Sequence, residues 1–248
     1  MTNTEVKIQN NFPISEETIK KRTTDNLIPP RIDNADNVVI LNPVSWQTFN
    51  QLLEELGDKR GQRLAYCHET LEIMSPLGIH ENNNRLIESL IFVIADELGL
   101  NLKKFGSLTL RRDKTQQGVE PDSCYYLQNE PLVRGKQTID LALDPPPDLV
   151  LEIDITRGSM DKLPIYAHLG VPEVWRYDGS CLSLFALNPE LKTYTQVEQS
   201  SIFPFLPPKH VPLLINRSLA IGETAALREL RQWLRENAFN FYVHPDKE

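Results

Sequence analysis

Pro147-Asp148-Leu149-Val150-Leu151-Glu152-Ile153-Asp154-Ile155-Thr156 decides how the rest of the chain is read. A strand alternates faces with period two, so Leu149, Leu151, Ile153 and Ile155 share one face while Val150, Glu152 and Asp154 share the other. Apolar residues at every remaining position mark a strand covered on both sides by helices. Glu152 and Asp154 then point the same way into surroundings where an uncompensated carboxylate is costly. A divalent cation held between acidic side chains is one physical compensation, and metal-dependent nuclease chemistry follows naturally from it.

The chain has 248 residues, 40% of them hydrophobic, which suffices for one folded α/β domain with a real core. Cys67, Cys124 and Cys181 are odd in number, widely spaced and outside any CxxC pairing. That argues against a disulfide framework and a zinc knuckle, and fits a reducing cytoplasm. The polar N-terminus lacks the apolar run of a signal peptide, and no stretch approaches the roughly 20 apolar residues that cross a bilayer. A soluble, cytoplasmic protein without a membrane partner is the expectation. A net charge of −8 weighs against coating nucleic acid by bulk attraction. It does not exclude an enzyme, which needs only a local basic path to its cleft and whose acids can be neutralised by a bound cation. No Gly-x-Gly-x-x-Gly and no P-loop occurs, so no nucleotide cofactor is implied.

Residues 1–36 read as a poorly ordered leader, 37–240 as the folded domain and 241–248 as a tail. Ser45 caps a helix through Trp46, Phe49, Leu52, Leu53 and Leu56 that Gly57 stops. Arg63–His68 and Thr70–Ser75 predict a hairpin, and His80–Leu98 a long helix with Ile87, Ile91, Ile94 and Leu98 on its buried face. Strands are predicted at 101–111 and 119–127, then the acidic strand at 148–155, a helix over 160–169 ended by Gly170, and a strand from Val171. A hairpin over 181–187 and 193–198 and a helix over 224–236 complete an α/β fold, a mixed β-sheet flanked by helices.

Three further features bear on the acidic strand. Asp122, inside Glu120-Pro121-Asp122, supplies a third carboxylate if its strand neighbours the acidic one. Lys162 lies close enough in sequence to swing its ammonium back over the acids. Glu81 and Glu88 of the long helix approach from the other side, or are simply two helix acids. Asp148 sits at the strand entrance, about 13 Å from Glu152 at strand rise, which is far for a shared site. His80-Glu81-Asn82-Asn83-Asn84 is not a zinc-protease helix, because Asn84 stands where the second histidine is needed; His80 caps or positions the helix, and His80 and Glu81 are accessory candidates. Arg228, Arg231 and Arg235 share a helical face, but Glu229 and Glu236 among them favour a solvated face over a phosphate-binding one.

Glu120-Pro121-Asp122, then Pro146 to Asp154, then Asp161 to Tyr177, together with Met74-Ser-Pro leading to His80-Glu81, resemble the bacterial Uma-two family of inferred restriction endonucleases over about residues 42–195. The resemblance implies the PD-(D/E)XK nuclease fold and Mg²⁺-dependent hydrolysis of DNA phosphodiesters, with Mn²⁺ as a substitute. It matches Asp122 to the acid of the first half-motif and Glu152 to that of the second, both ligating the metal with the backbone carbonyl of Ile153. Asp154 stands where the motif has its lysine; it is either a third metal ligand or a cap on the next turn. Lys162 takes over the catalytic cation's place. A homodimer is a further expectation, with Trp and Phe near the C-terminus offered as its contact. Two rival readings remain: a nuclease-fold binding protein without catalysis, motivated by the missing motif lysine, and a structural protein whose Glu152 pairs with Arg112 or Arg176.

Overall fold

The computed structural model describes residues 38–57, 60–155 and 159–237. The predicted leader and tail lie outside these residues.

The first sheet begins with β1 (Val38–Leu41), followed by α1 (Trp46–Leu56), β2 (Arg63–Cys67) and β3 (Thr70–Met74). As the sequence predicts, the Ser45 hydroxyl caps α1 by accepting from the Thr48 N–H at 3.1 Å, and Gly57 ends it at φ 62°. α2 (Gly78–Glu97) is the long helix; β4 (Lys103–Phe105), β5 (Leu110–Arg112), β6 (Gln117–Val119) and β7 (Ser123–Tyr126) follow. α3 (Glu130–Val133), β8 (Leu149–Ile153), α4 (Leu163–Leu169), β9 (Glu173–Tyr177), β10 (Leu182–Asn188), β11 (Thr193–Val197), α5 (His210–Ile221) and α6 (Glu223–Asn237) complete the order.

The strands form two sheets, ordered β1-β3-β2-β6-β5 and β11-β10-β9-β8-β7-β4. The second is mixed: β8 runs parallel to β9 and antiparallel to β7. The architecture is therefore α/β with helices on the sheets' faces, as expected, but with two sheets. Both predicted strands at 101–111 and 119–127 divide: β4 and β7 belong to the second sheet, β5 and β6 to the first. The second division falls on Glu120-Pro121-Asp122, where proline supplies no N–H to continue a ladder.

β8 is covered on both faces, as its composition requires. Leu149, Leu151, Ile153 and Ile155 pack with Ile87 and Leu90 of α2, Leu214 of α5 and Leu230 of α6. Val150 faces the other way, toward Ala65, Val119 and the α4 residues Ile165, Tyr166 and Leu169. α4 thus lies between the two sheets, and Glu152 shares Val150's face. Of the C-terminal aromatics offered from sequence as a dimer contact, Trp233 is 3% exposed within the first of these cores and so is not available to a partner, while Phe239 and Phe241 lie outside the described residues. Burial of so large an apolar ring outweighs leaving it for a partner.

α1 docks on the first sheet through Phe49, which packs with Leu64, Tyr66 and Leu71. The Phe49 ring crosses Gly118 of β6 so closely that a Cβ there would meet it at 2.8 Å. A Gly118→Ala variant is expected to lose about 1–3 kcal/mol of stability from this overpacking. Urea denaturation measures the loss; an unchanged midpoint would show that α1 yields without cost.

Candidate active site

The site assembles from both sheets and two helices. β7 and β8 pair with Ser123 opposite Leu151 and Cys124 opposite Val150. One more step along this register sets Asp122 opposite Glu152 on the same face, where cross-strand side chains are neighbours. The Ile153 N–H donates to Asp122 Oδ2 at 2.8 Å. Lys162 and Tyr166 are one helical turn apart at the start of α4, so both reach the same carboxylate. Lys162 Nζ lies 3.0 Å from Glu152 Oε2, and the Tyr166 hydroxyl donates to Glu152 Oε1. Glu72 enters from β3, with Oε1 4.0 Å from Lys162 Nζ and its other oxygen accepting from the Met160 N–H.

α2 braces the arrangement from its first turns. His80 Nε2 lies 3.4 Å from Asp122 Oδ2. One turn on, Asn84 Nδ2 donates to the Asp122 carbonyl at 3.1 Å, and its Oδ1 accepts from the Ser123 hydroxyl at 3.0 Å. This clamp fixes the backbone of Asp122 where the chain passes from one sheet to the other.

Asp122 is 2% exposed, Glu152 8% and Lys162 9%. Burial pushes Asp122 up to about 6, against the pull of the Lys162 ammonium and the Ile153 N–H. Burial also raises Glu152, which the Asp122 charge raises further, and it raises Glu72. Burial alone would lower Lys162, but Glu152, Asp122 and Glu72 outweigh it and hold the amine protonated. His80 is depressed by burial, so its imidazole is neutral at neutral pH. Tyr166 is raised well above its usual range, again chiefly by burial, and keeps its proton as a donor.

Other buried acids show what a structural carboxylate looks like in this fold. Glu120 takes the Arg60 guanidinium, the Thr109 hydroxyl and the Leu64 N–H. Asp148 accepts from the N–H groups of Leu127 and Asn129 and from the Asn129 amide, closing a loop at the far end of β8. Glu173 accepts from the Trp175 indole, both Ser200 and Ser201 hydroxyls and the Ser201 N–H. Each has a full complement of donors. At the candidate site, three carboxylates, those of Glu72, Asp122 and Glu152, gather instead around one ammonium.

The structure brings Asp122, Glu152, Lys162 and His80 together. Asp154 lies just past the end of β8, half-buried at the rim, with its N–H bonded to the Tyr177 carbonyl. It lines a cleft of about 150 Å³ with Glu152, His80, Lys162 and Arg176. Glu81 turns to Arg85 at 2.7 Å, and Glu88 to Lys104 at 2.7 Å. Arg176 pairs with Asp161, and Arg112 bonds the last carbonyls of α4, so neither takes Glu152. Arg231 and Arg235 are ion-paired to Glu97. Glu72, Tyr166 and Asn84 were not singled out from sequence as members of this site; the spacing of Tyr166 four residues after Lys162 was the available signal.

Among the described residues, no three Asp, Glu, His or Cys side chains form a ready set of metal ligands. The donors of Asp122 and Glu152 nevertheless fit a hard divalent cation in kind: two anionic oxygen ligands on one face, their ionisation opposed by burial and by each other.

A family model described as "Putative restriction endonuclease", Uma2, matches residues 46–221. No curated protein matches the chain. A crystal structure from Anabaena variabilis, described as "a putative nuclease", aligns with a TM-score of 0.43 at 14% identity, covering 77% of this chain and 99% of that one. No described helix is long and apolar enough to cross a membrane.

Proposed function

The chain belongs to the Uma2 family, and on that premise we propose that it is a metal-dependent DNA endonuclease whose site is built on Asp122 and Glu152. The observation that carries this reading is the gathering of three buried carboxylates, Glu72, Asp122 and Glu152, around the one ammonium of Lys162, with Asp122 taking the Ile153 N–H rather than a cation as its hydrogen-bond donor. Asp122 and Glu152 would hold the cation, with the Ile153 carbonyl as the further ligand that the family resemblance implies. The chemistry supplied by a bound Mg²⁺ or Mn²⁺ is polarisation of the phosphoryl group and a water made acidic enough to attack near neutral pH.

This chain's own groups do the rest. Tyr166 and Lys162 fix the two oxygens of Glu152, and the Ile153 N–H fixes Asp122 Oδ2, with His80 Nε2 3.4 Å from that oxygen. Lys162, protonated in this setting, donates from Nζ to orient the attacking water and to offset negative charge that builds on the phosphoryl oxygens. Asp154 at the rim repels a phosphate unless paired, which favours placing the scissile group on the Lys162 side of the cleft. The bond formed joins the water oxygen to phosphorus, and the bond broken joins phosphorus to the leaving sugar oxygen.

Incubation of the full chain with supercoiled plasmid tests this. Relaxed and linear products are expected with Mg²⁺ or Mn²⁺ and none with chelator; intact plasmid under both metals would reject the proposal. The rival, a nuclease-fold binding protein, is favoured by Asp154 in the motif lysine's place; retained plasmid binding without cleavage would support it.

A further inference from the structure

Arg63 stands beside the acidic site without an ion-pair partner among the described residues. Its guanidinium makes no ion pair or side-chain hydrogen bond among the described residues, and its Nε is buried. On β2 it lies directly across from Met74 of β3, so the two side chains share a face. Met74 lines the cleft that contains Glu152 and Lys162. Arg63 also lines a second, larger groove of about 660 Å³, bounded by Arg60, Arg111, Phe105, Thr109 and Thr138. One side chain therefore stands between the acidic cleft and this groove. Its charge acts on both Asp122 and His80, lowering the proton affinity of each.

A guanidinium with a buried nitrogen and no carboxylate in hydrogen-bond contact is costly to keep unless an anion completes it. The groove's other arginines are engaged: Arg60 with Glu120, and Arg111 with the Asn50 side-chain oxygen. Arg63 thus carries the groove's uncommitted positive charge among the described residues, with the Glu54 carboxylate also on the groove's lining. Its planar fork suits a phosphate, which takes two parallel N–H donors.

Building on the nuclease reading, we propose that Arg63 binds a phosphate of the substrate strand adjoining the scissile one, and that the groove beyond it is the track of the nucleic-acid backbone. The free guanidinium then supplies the local basic contact that an acidic protein needs to approach DNA. It also predicts a binding contribution separable from the metal site.

The test is fluorescence anisotropy with a short labelled DNA duplex and the full chain, without divalent cation, over a series of salt concentrations. Arg63→Gln is expected to weaken binding about tenfold at low salt and to reduce the slope of log K against log salt by about one. Arg63→Lys, which keeps the charge, should retain the slope. Both variants should melt no lower than the wild type, because no protein partner is lost. Equal affinity and slope for Arg63→Gln would overturn the inference, as would a fall in melting temperature that accounts for the lost binding. If the wild type nicks plasmid while Arg63→Gln binds unchanged, this inference alone fails. If the wild type neither nicks nor binds, it fails together with the nuclease reading.

Discussion

Glu152→Gln is expected to fold as the wild type does and to lose plasmid nicking by about a thousandfold or more, a loss of the size seen when transition-state charge stabilisation is removed. Glutamine keeps the length of the side chain and an oxygen for the Tyr166 hydroxyl, which now donates to Glu152 Oε1. What it removes is the anionic ligand, and hard cations depend on such charge. Burial already disfavours ionised Glu152, and Asp122 and Glu72 remain to face the Lys162 ammonium, so the neutral replacement should leave the chain folded. Matched melting curves beside the nicking rates separate lost chemistry from lost structure. A variant that nicks within about tenfold of the wild-type rate would leave Glu152 a structural acid.

Asp122→Asn is expected to make the metal-free protein more stable at neutral pH while abolishing nicking. The carboxyl is raised by burial to about 6 in the folded chain from 3.8, so folding favours its protonated form. That contribution is fully present below pH 3.8 and is lost as pH rises through about 6, leaving a charge that costs about 3 kcal/mol above it. Asparagine has no such charge, and its oxygen can still accept from the Ile153 N–H. Urea denaturation without metal should therefore show the variant ahead by about 1–3 kcal/mol at pH 7.5 and level with the wild type near pH 4. A variant that is less stable at pH 7.5 would mean that the buried Asp122 charge stabilises the fold rather than opposing it.

The acidic strand was legible because its pattern left one arrangement open: apolar residues on both faces require cover on both sides, and period two puts Glu152 with Val150. Lys162 was legible by proximity in the chain. The passage through Glu120-Pro121-Asp122 was not, since the residues around it all read as strand and only tertiary pairing shows that the ladder changes sheets there. Glu72 was hidden by alternation, because a polar residue between Leu71 and Ile73 reads as a solvent face. That face closes instead on Lys162 and the Met160 N–H. Tyr166 sits in an apolar stretch of α4 and reads as core until its hydroxyl is placed on Glu152. Asn84, set aside for failing as a metal ligand, holds the Asp122 backbone. Helix α5 was missed because Pro207, Pro208 and Pro212 punctuate its start; Pro212 is tolerated there because first-turn N–H groups need no helical partner.

Calorimetric titration of Mn²⁺ into the wild type and into Glu152→Gln tests most directly the claim that these acids are gathered for a cation. Saturable binding is expected for the wild type and not for Glu152→Gln. No heat of binding in the wild type, or equal binding by both proteins, would contradict it.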